Sequence, residues 1–176
     1  IYFLYLIIST FLLLEIIFHT LPVTESSKLQ KVDDMNKVLK YKSSITVTKQ
    51  RGFKFKNITT KKINDAGYYS DEDFFNINDK REKIAIIGDS MVAAAELENR
   101  ESFSGLLMTN QAKYKFLPIG IPGSSLAQYL AFADWAEKNL NPKSYIFVII
   151  SNDFDESSIK YKSNPGHHYF NEKMEL

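Results

Sequence analysis

The chain opens on a long apolar block. Residues 1–21 read IYFLYLIISTFLLLEIIFHTL, with 16 of 21 positions apolar and one formal charge, Glu15. At about 1.5 Å of rise per residue, about 20 such residues cross a hydrocarbon core of about 30 Å, so the pattern predicts one transmembrane anchor. Pro22 closes the run, because it has no amide donor and cannot continue the helix. A cleaved signal peptide has a shorter apolar region, of about 7–15 residues, and small residues at its end. Thr20-Leu21-Pro22-Val23 is a poor cleavage sequence. The lipid bilayer is therefore the first expected partner. Glu15 is costly inside lipid unless it lies near the interface or is paired. Both an interfacial position and docking against another membrane protein subunit fit it.

After the anchor the pattern changes. Leu29, Val32, Met35 and Leu39 recur at three- and four-residue steps, which predicts a short, water-facing amphipathic helix. Ile45–Thr48 and Phe53–Thr60 carry alternating or β-branched residues and read as two strands, and Asn64–Gly67 reads as a turn. Lys83–Gly88 is an apolar run ending in glycine, as a strand buried on both faces requires. Glu101–Asn110 is a predicted helix with Phe103, Leu106 and Leu107 on its inner face, and Lys115–Gly120 a second strand. Ser125–Leu140 is the clearest helix, with Leu126, Tyr129, Leu130, Ala133, Ala136 and Leu140 in one stripe. Ser144–Ile150 is a third buried strand.

Strand and helix alternating with short connections predict an α/β fold: a three-layer, doubly wound parallel sheet. The expected division is an anchor over 1–21, a basic stalk with lead-in strands over 22–62, and the α/β domain over 63–176. Only 25 residues follow Ser151, whereas each further strand–helix unit takes about 30. The sheet is therefore expected to be unfinished, completed by further chain or by another subunit. A start at Ile1 instead of Met is read as the mark of a fragment.

Composition narrows the chemistry. There is no cysteine among the 176 residues, which excludes disulfides, zinc fingers and a thiol nucleophile. The net charge of +1 conceals two halves: Thr24–Lys62 has 11 Lys/Arg against 3 Asp/Glu, and residues 63–176 have 11 against 17. A nucleic-acid partner needs its basic face on the folded domain. Here that domain is acidic, so none is expected. No Gly-x-Gly-x-x-Gly follows the first buried strand and no Gly-Lys-Ser/Thr loop exists. Neither cofactor nor metal is expected.

In doubly wound sheets ligands gather beyond the carboxyl ends of the strands. Those ends carry Gly88-Asp89-Ser90, Gly120-Ile121-Pro122-Gly123 and Ser151-Asn152-Asp153. A serine nucleophile needs donors aimed at the oxyanion it generates. The amides of Ser90 and Gly123 and the carboxamide of Asn152 are the candidate set, and these three are the predicted site residues.

In this order the blocks resemble the SGNH (GDSL-like) hydrolase superfamily in its membrane-anchored form. Ile84–Leu107 is similar to its first block, with Ser90 as nucleophile. Pro118–Ser125 is similar to the second, with Gly123 as an oxyanion donor, and Phe147–Phe154 to the third, with Asn152 as the other. Lys62–Asp73 resembles the lead-in segment. The resemblance covers Lys62 to Glu156 and implies metal-free ester hydrolysis or acyl transfer, often on acylated extracytoplasmic polysaccharide. It also implies a domain outside the cytoplasm, periplasmic in a bacterium. The chain has Val92 and Ala94 where the family usually has Thr and Gly, Pro118 where it has Asn, and Ile150 where it often has Gly. No Asp-x-x-His block is present. The histidines are His19, His167 and His168, and the last two are read as a solvated loop pair. A non-catalytic accessory or assembly subunit of a larger membrane complex is the alternative function.

Overall fold

The structure, a computed structural model, describes residues 1–21, 24–34, 36–51, 57–173 and 175. Pro22, Met35 and the Phe53–Lys56 part of the second predicted strand lie outside the described residues. Helix α1 spans Tyr2–Thr20 and buries none of its residues, and it is long and apolar enough to cross a membrane. Strands β1 (Ile45–Arg51) and β2 (Asn57–Ile63) pair antiparallel, with Ile45 opposite Ile63. Then come β3 (Glu82–Gly88), the short helix α2 (Ser90–Ala93), a single 3-10 turn (Asn99–Glu101) and α3 (Phe103–Asn110). Strand β4 (Tyr114–Gly120), helix α4 (Leu126–Leu140), strand β5 (Ser144–Phe147) and one turn of helix, α5 (Asn152–Asp155), complete the order.

β3, β4 and β5 form a parallel sheet in the order β4-β3-β5, with Lys83 opposite Lys115 and Ile86 opposite Ile146. Side chains alternate between the two faces of a strand, and the core divides accordingly. Ala85, Ile87, Leu117 and Ile119 belong to the cluster that contains Tyr129, Phe132, Ala136 and Leu140 of α4. Ile86 and Phe116 point the other way, to Val92 of α2 and to Leu107 and Met108 of α3. The sheet thus carries helices on both faces.

The segment before β1 is not the predicted amphipathic helix. Leu29 bridges Tyr41 in antiparallel fashion, and Val38, Leu39 and Tyr41 are buried in the α4-side core. Tyr68 ties them in: its hydroxyl donates to the Leu39 carbonyl at 3.1 Å, and its ring meets Phe132 edge-on and Trp135 at 5.7 Å. Long-range packing overrides a weak period here. α3 is also turned from expectation. Ser104 and Gly105 are buried, whereas Phe103 and Leu106 are exposed. A small residue lets the helix approach the preceding turn, where a larger one would hold it off. β5 departs as well: among the described residues it has one strand neighbour and is half-exposed, with Phe147 on the surface.

Beneath the amino ends of the strands, Lys115 is buried and donates to the Asp73 carbonyl at 2.6 Å, with Asp79 at 3.3 Å. Arg81 bridges Asp79 and Glu72. These partners hold the Asp79 carboxyl well below its usual range, Arg81 first among them.

A methyl group at Gly105 would stand 1.9 Å from the Asn99 carbonyl oxygen and 2.7 Å from the Arg100 Cα. Overpacking costs about 1–3 kcal/mol, whereas the helix propensity of alanine returns about 1 kcal/mol. Gly105→Ala is therefore expected to lower the stability of the full chain in thermal unfolding, despite the better helix former.

Candidate active site

Parallel strands end together, so the three polar loops share one rim. The first loop is shaped by Asp89, which is buried and caps α2 by accepting from the Met91 amide at 2.9 Å. Ser90 follows as the first helical residue and is exposed. Its hydroxyl donates to Asp89 Oδ2 at 3.3 Å, its one side-chain hydrogen bond among the described residues. α2 lies directly over the end of β4: a Cβ on Gly120 would stand 2.8 Å from both the Ala93 nitrogen and the Asp89 oxygen. The first two loops are thereby packed together.

The second loop is a tight turn. Ser124 donates to the Ile121 carbonyl at 3.1 Å, with Pro122 between them and Gly123 at φ +81°. Proline then positive-φ glycine is the requirement of a type II turn. Among the described residues the Gly123 amide has no acceptor. Pro122 lines a cleft of about 320 Å³ with Ser90, Met91, Ala94, Ala95, Glu96 and Leu97. Gly123 and Asn152 lie outside that lining.

The third loop carries Asn152 at the start of α5, exposed to solvent. The Lys162 ammonium, and after it the Asn152 carboxamide, hold the Glu156 carboxyl below its usual range. Lys162 pairs with Glu156 and donates to the Gly123 carbonyl at 3.0 Å. The second and third loops are thus clasped by Lys162. Ser90 joins the Gly123 turn through the cleft, and Asn152 joins it through Glu156 and Lys162.

Three groups at this rim escaped the reading of the sequence. Tyr129 belonged to an apolar stripe, yet its hydroxyl donates to Asp153 Oδ2 at 3.0 Å. Asp153 is wholly buried, also accepts from the Ile150 amide at 2.8 Å, and keeps Oδ1 unpartnered. Burial above all, with Asp89 and Glu156 adding like charge, raises its carboxyl above the usual range. Lys162 is the third, and no motif marked it. The one available signal was a carboxylate directly after Asn152, on a strand end expected to be buried.

His167 and His168 are not a solvated pair. Both are half-buried, and His168 donates its amide to Gln128 Oε1 at 2.9 Å with its ring Nδ1 3.2 Å away. Burial lowers both imidazoles from their usual range. Neither hydrogen-bonds Ser90 among the described residues.

Ala94, at the far wall of the cleft, adopts φ +42° and ψ +45°. That left-handed conformation belongs to glycine. No family model, curated protein or solved structure matches the chain.

Two stability measurements follow from this rim. A left-handed non-glycine residue costs about 1–2 kcal/mol, part of which glycine's unfolded-state freedom takes back, so Ala94→Gly is expected to stabilise the chain by roughly 0.5–1 kcal/mol in denaturant titration. Asp153 has a raised folded pKa against an ordinary value of 3.8. The native state then holds a proton that the unfolded chain has released. Stability from this group is complete below that value and falls as pH climbs through the folded pKa. Asp153→Asn removes the charge, so its stability is expected to fall less than wild type's over that rise.

Proposed function

We propose that this chain is a membrane-anchored, SGNH-like serine esterase or O-acyltransferase acting on acylated carbohydrate outside the cytoplasm. The observation that carries this reading is the exposed Ser90 hydroxyl, at the head of α2, in a cleft it shares with the Gly123 turn. The sheet order β4-β3-β5, with helices on both faces, supports a doubly wound fold of the SGNH/flavodoxin type. The left-handed backbone at Ala94 supports it independently, since that is where the family usually has glycine.

In this reaction Ser90 Oγ attacks the ester carbonyl carbon. The bond to the sugar oxygen breaks, that oxygen leaves with a proton, and the acyl group rests on Ser90 until water or a second hydroxyl accepts it. The amides of Ser90 and Gly123 face the oxyanion, where fixed donors act without reorganisation. The Asn152 carboxamide joins them on leaving Glu156. Asp89 Oδ2 is the acceptor in reach of the Ser90 hydroxyl proton. The chain needs no metal or cofactor for these steps.

The lack of a histidine on Ser90 among the described residues favours a second reading, a non-catalytic accessory or assembly subunit of a larger membrane complex. A fluorophosphonate probe separates the two, because it bonds covalently to an activated serine. One adduct per wild-type chain is expected by mass spectrometry, lost in Ser90→Ala and weakened in Asp89→Asn, whose carboxamide still caps α2. A wild-type chain that stays unlabelled while folded sinks the hydrolase and leaves the accessory subunit.

A further inference from the structure

The rim around Ser90 is polar in one part and apolar in another. The Gly123 turn, Asn152 and the Lys162–Glu156 pair make the polar part, and all of them lie outside the lining of the cleft. In the cleft itself Met91, Ala94, Ala95, Leu97 and Pro122 present hydrocarbon, and Ser90 and Glu96 are the polar members of the described lining. Glu96 is exposed and within electrostatic reach of Lys49 on β1.

The apolar wall is built by the same short unit that carries the serine. Ser90 opens α2, the Ala94 amide donates to the Ser90 carbonyl at 2.8 Å, and the Leu97 amide donates to the Ala94 carbonyl at 3.1 Å, closing a turn. Met91 and Leu97 are 59% and 44% exposed. Exposed hydrocarbon gathered beside a nucleophile calls for an apolar ligand. A sugar would bury hydroxyls against these walls with few partners, at a cost for each. An alkyl chain covers the same walls and leaves no polar group unpaired.

We propose that this cleft holds the acyl chain of the ester, and that the chain is a medium-length alkyl group and not acetyl. The volume supports the length. A methyl group, with roughly the 30 Å³ share of a water molecule, would leave most of the cleft of about 320 Å³ to solvent. A closed cavity of about 150 Å³ takes one benzene ring, so an open cleft of twice that size suits an alkyl chain of about four to eight carbons. The sugar is then left to the polar part of the rim. The assignment rests on Ser90 acting as the esterase or transferase nucleophile, and adds which acyl group that nucleophile takes.

The test mixes full chain in mild detergent with the p-nitrophenyl esters of acetate, butyrate, hexanoate and octanoate, and follows nitrophenolate release by stopped flow. Release marks the first step alone: the bond from Ser90 Oγ to the acyl carbon forms and the bond to nitrophenolate breaks. It is therefore read the same way for a hydrolase and a transferase. The second-order rate is expected to rise about twofold to fourfold per methylene up to hexanoate, and to level off where the chain outgrows the cleft. Leu97→Lys, which puts a charge on the exposed wall, is expected to lower the octanoate-to-acetate ratio roughly tenfold, as if about two methylenes were no longer buried. Leu130→Lys, similarly exposed on α4 and outside the cleft lining, is expected to keep the wild-type ratio. A flat wild-type profile, one highest for acetate, or an unchanged ratio in Leu97→Lys overturns the acyl assignment. Where such a chain still takes the fluorophosphonate probe at Ser90, the esterase reading stands. Release no faster than from Ser90→Ala, with no probe adduct, removes both.

Discussion

β3 is the constraint from which the rest of the domain follows. Ala85, Ile86 and Ile87 are completely buried, and the strand pairs in parallel with β4 along its full length and with β5 over four residues. A strand enclosed on both edges and both faces tolerates one register, because a one-residue slip would reverse every side chain. Parallel pairing then brings three carboxyl ends to one rim, and the polar loops have nowhere else to go. The amino ends meet at the opposite edge, where buried Lys115 joins Asp73 and Asp79. That edge holds the fold together, whereas the carboxyl rim carries exposed hydroxyl, bare amide and carboxamide.

The rim is kept in place at some cost. A fully buried carboxylate with an unpartnered oxygen is unfavourable on its own account. Asp153 persists because the Tyr129 hydroxyl and the Ile150 amide converge on its other oxygen. That contact fastens α4 to the loop after β5, and so fixes Asn152 relative to the Gly123 turn, which immediately precedes α4. Lys162 makes a second fastening from outside. The left-handed Ala94 is a second unfavourable feature at the same rim. Left-handed non-glycine backbone also occurs at Ser44 and at Asn141, the C-cap of α4 beside the amino ends, so what sets this rim apart is the buried carboxylate with its unpartnered oxygen.

What the sequence made legible, and what it hid, divides along physical lines. α1, β3, β4 and α4 were readable because each is a run whose burial is decided by its own period or its unbroken apolarity. The two glycines of the Gly120–Gly123 loop were readable because only a tight turn or a close approach demands them. α3 was misread, since its inner face is set by the smallness of Ser104 and Gly105, which no hydrophobic count rewards. The predicted helix through Leu29 and Leu39 failed for a similar reason: Leu39 is buried by Tyr68, a residue distant in the chain. β5 reads as a buried strand because YIFVII is apolar throughout, yet among the described residues it has a strand neighbour on one side only. Asp153 and Lys162 were invisible because their partners, Tyr129 and Glu156, are chosen by the fold.

The charge asymmetry read from the sequence has a structural meaning of its own. Local excesses of opposite sign in adjacent segments look like a basic tether beside an acidic domain. In the folded chain they interlock. Lys62 pairs with Asp73 at 2.9 Å. Lys61 is buried over the Tyr69 ring, 5.5 Å from its centroid, and burial lowers it to about 8 while Asp71 and Glu98 pull the other way. A lysine desolvated to that degree stays in place only if acidic neighbours offset part of the cost. The basic segment is therefore a layer of the domain, with Val47 and Ile63 in the same core as α4.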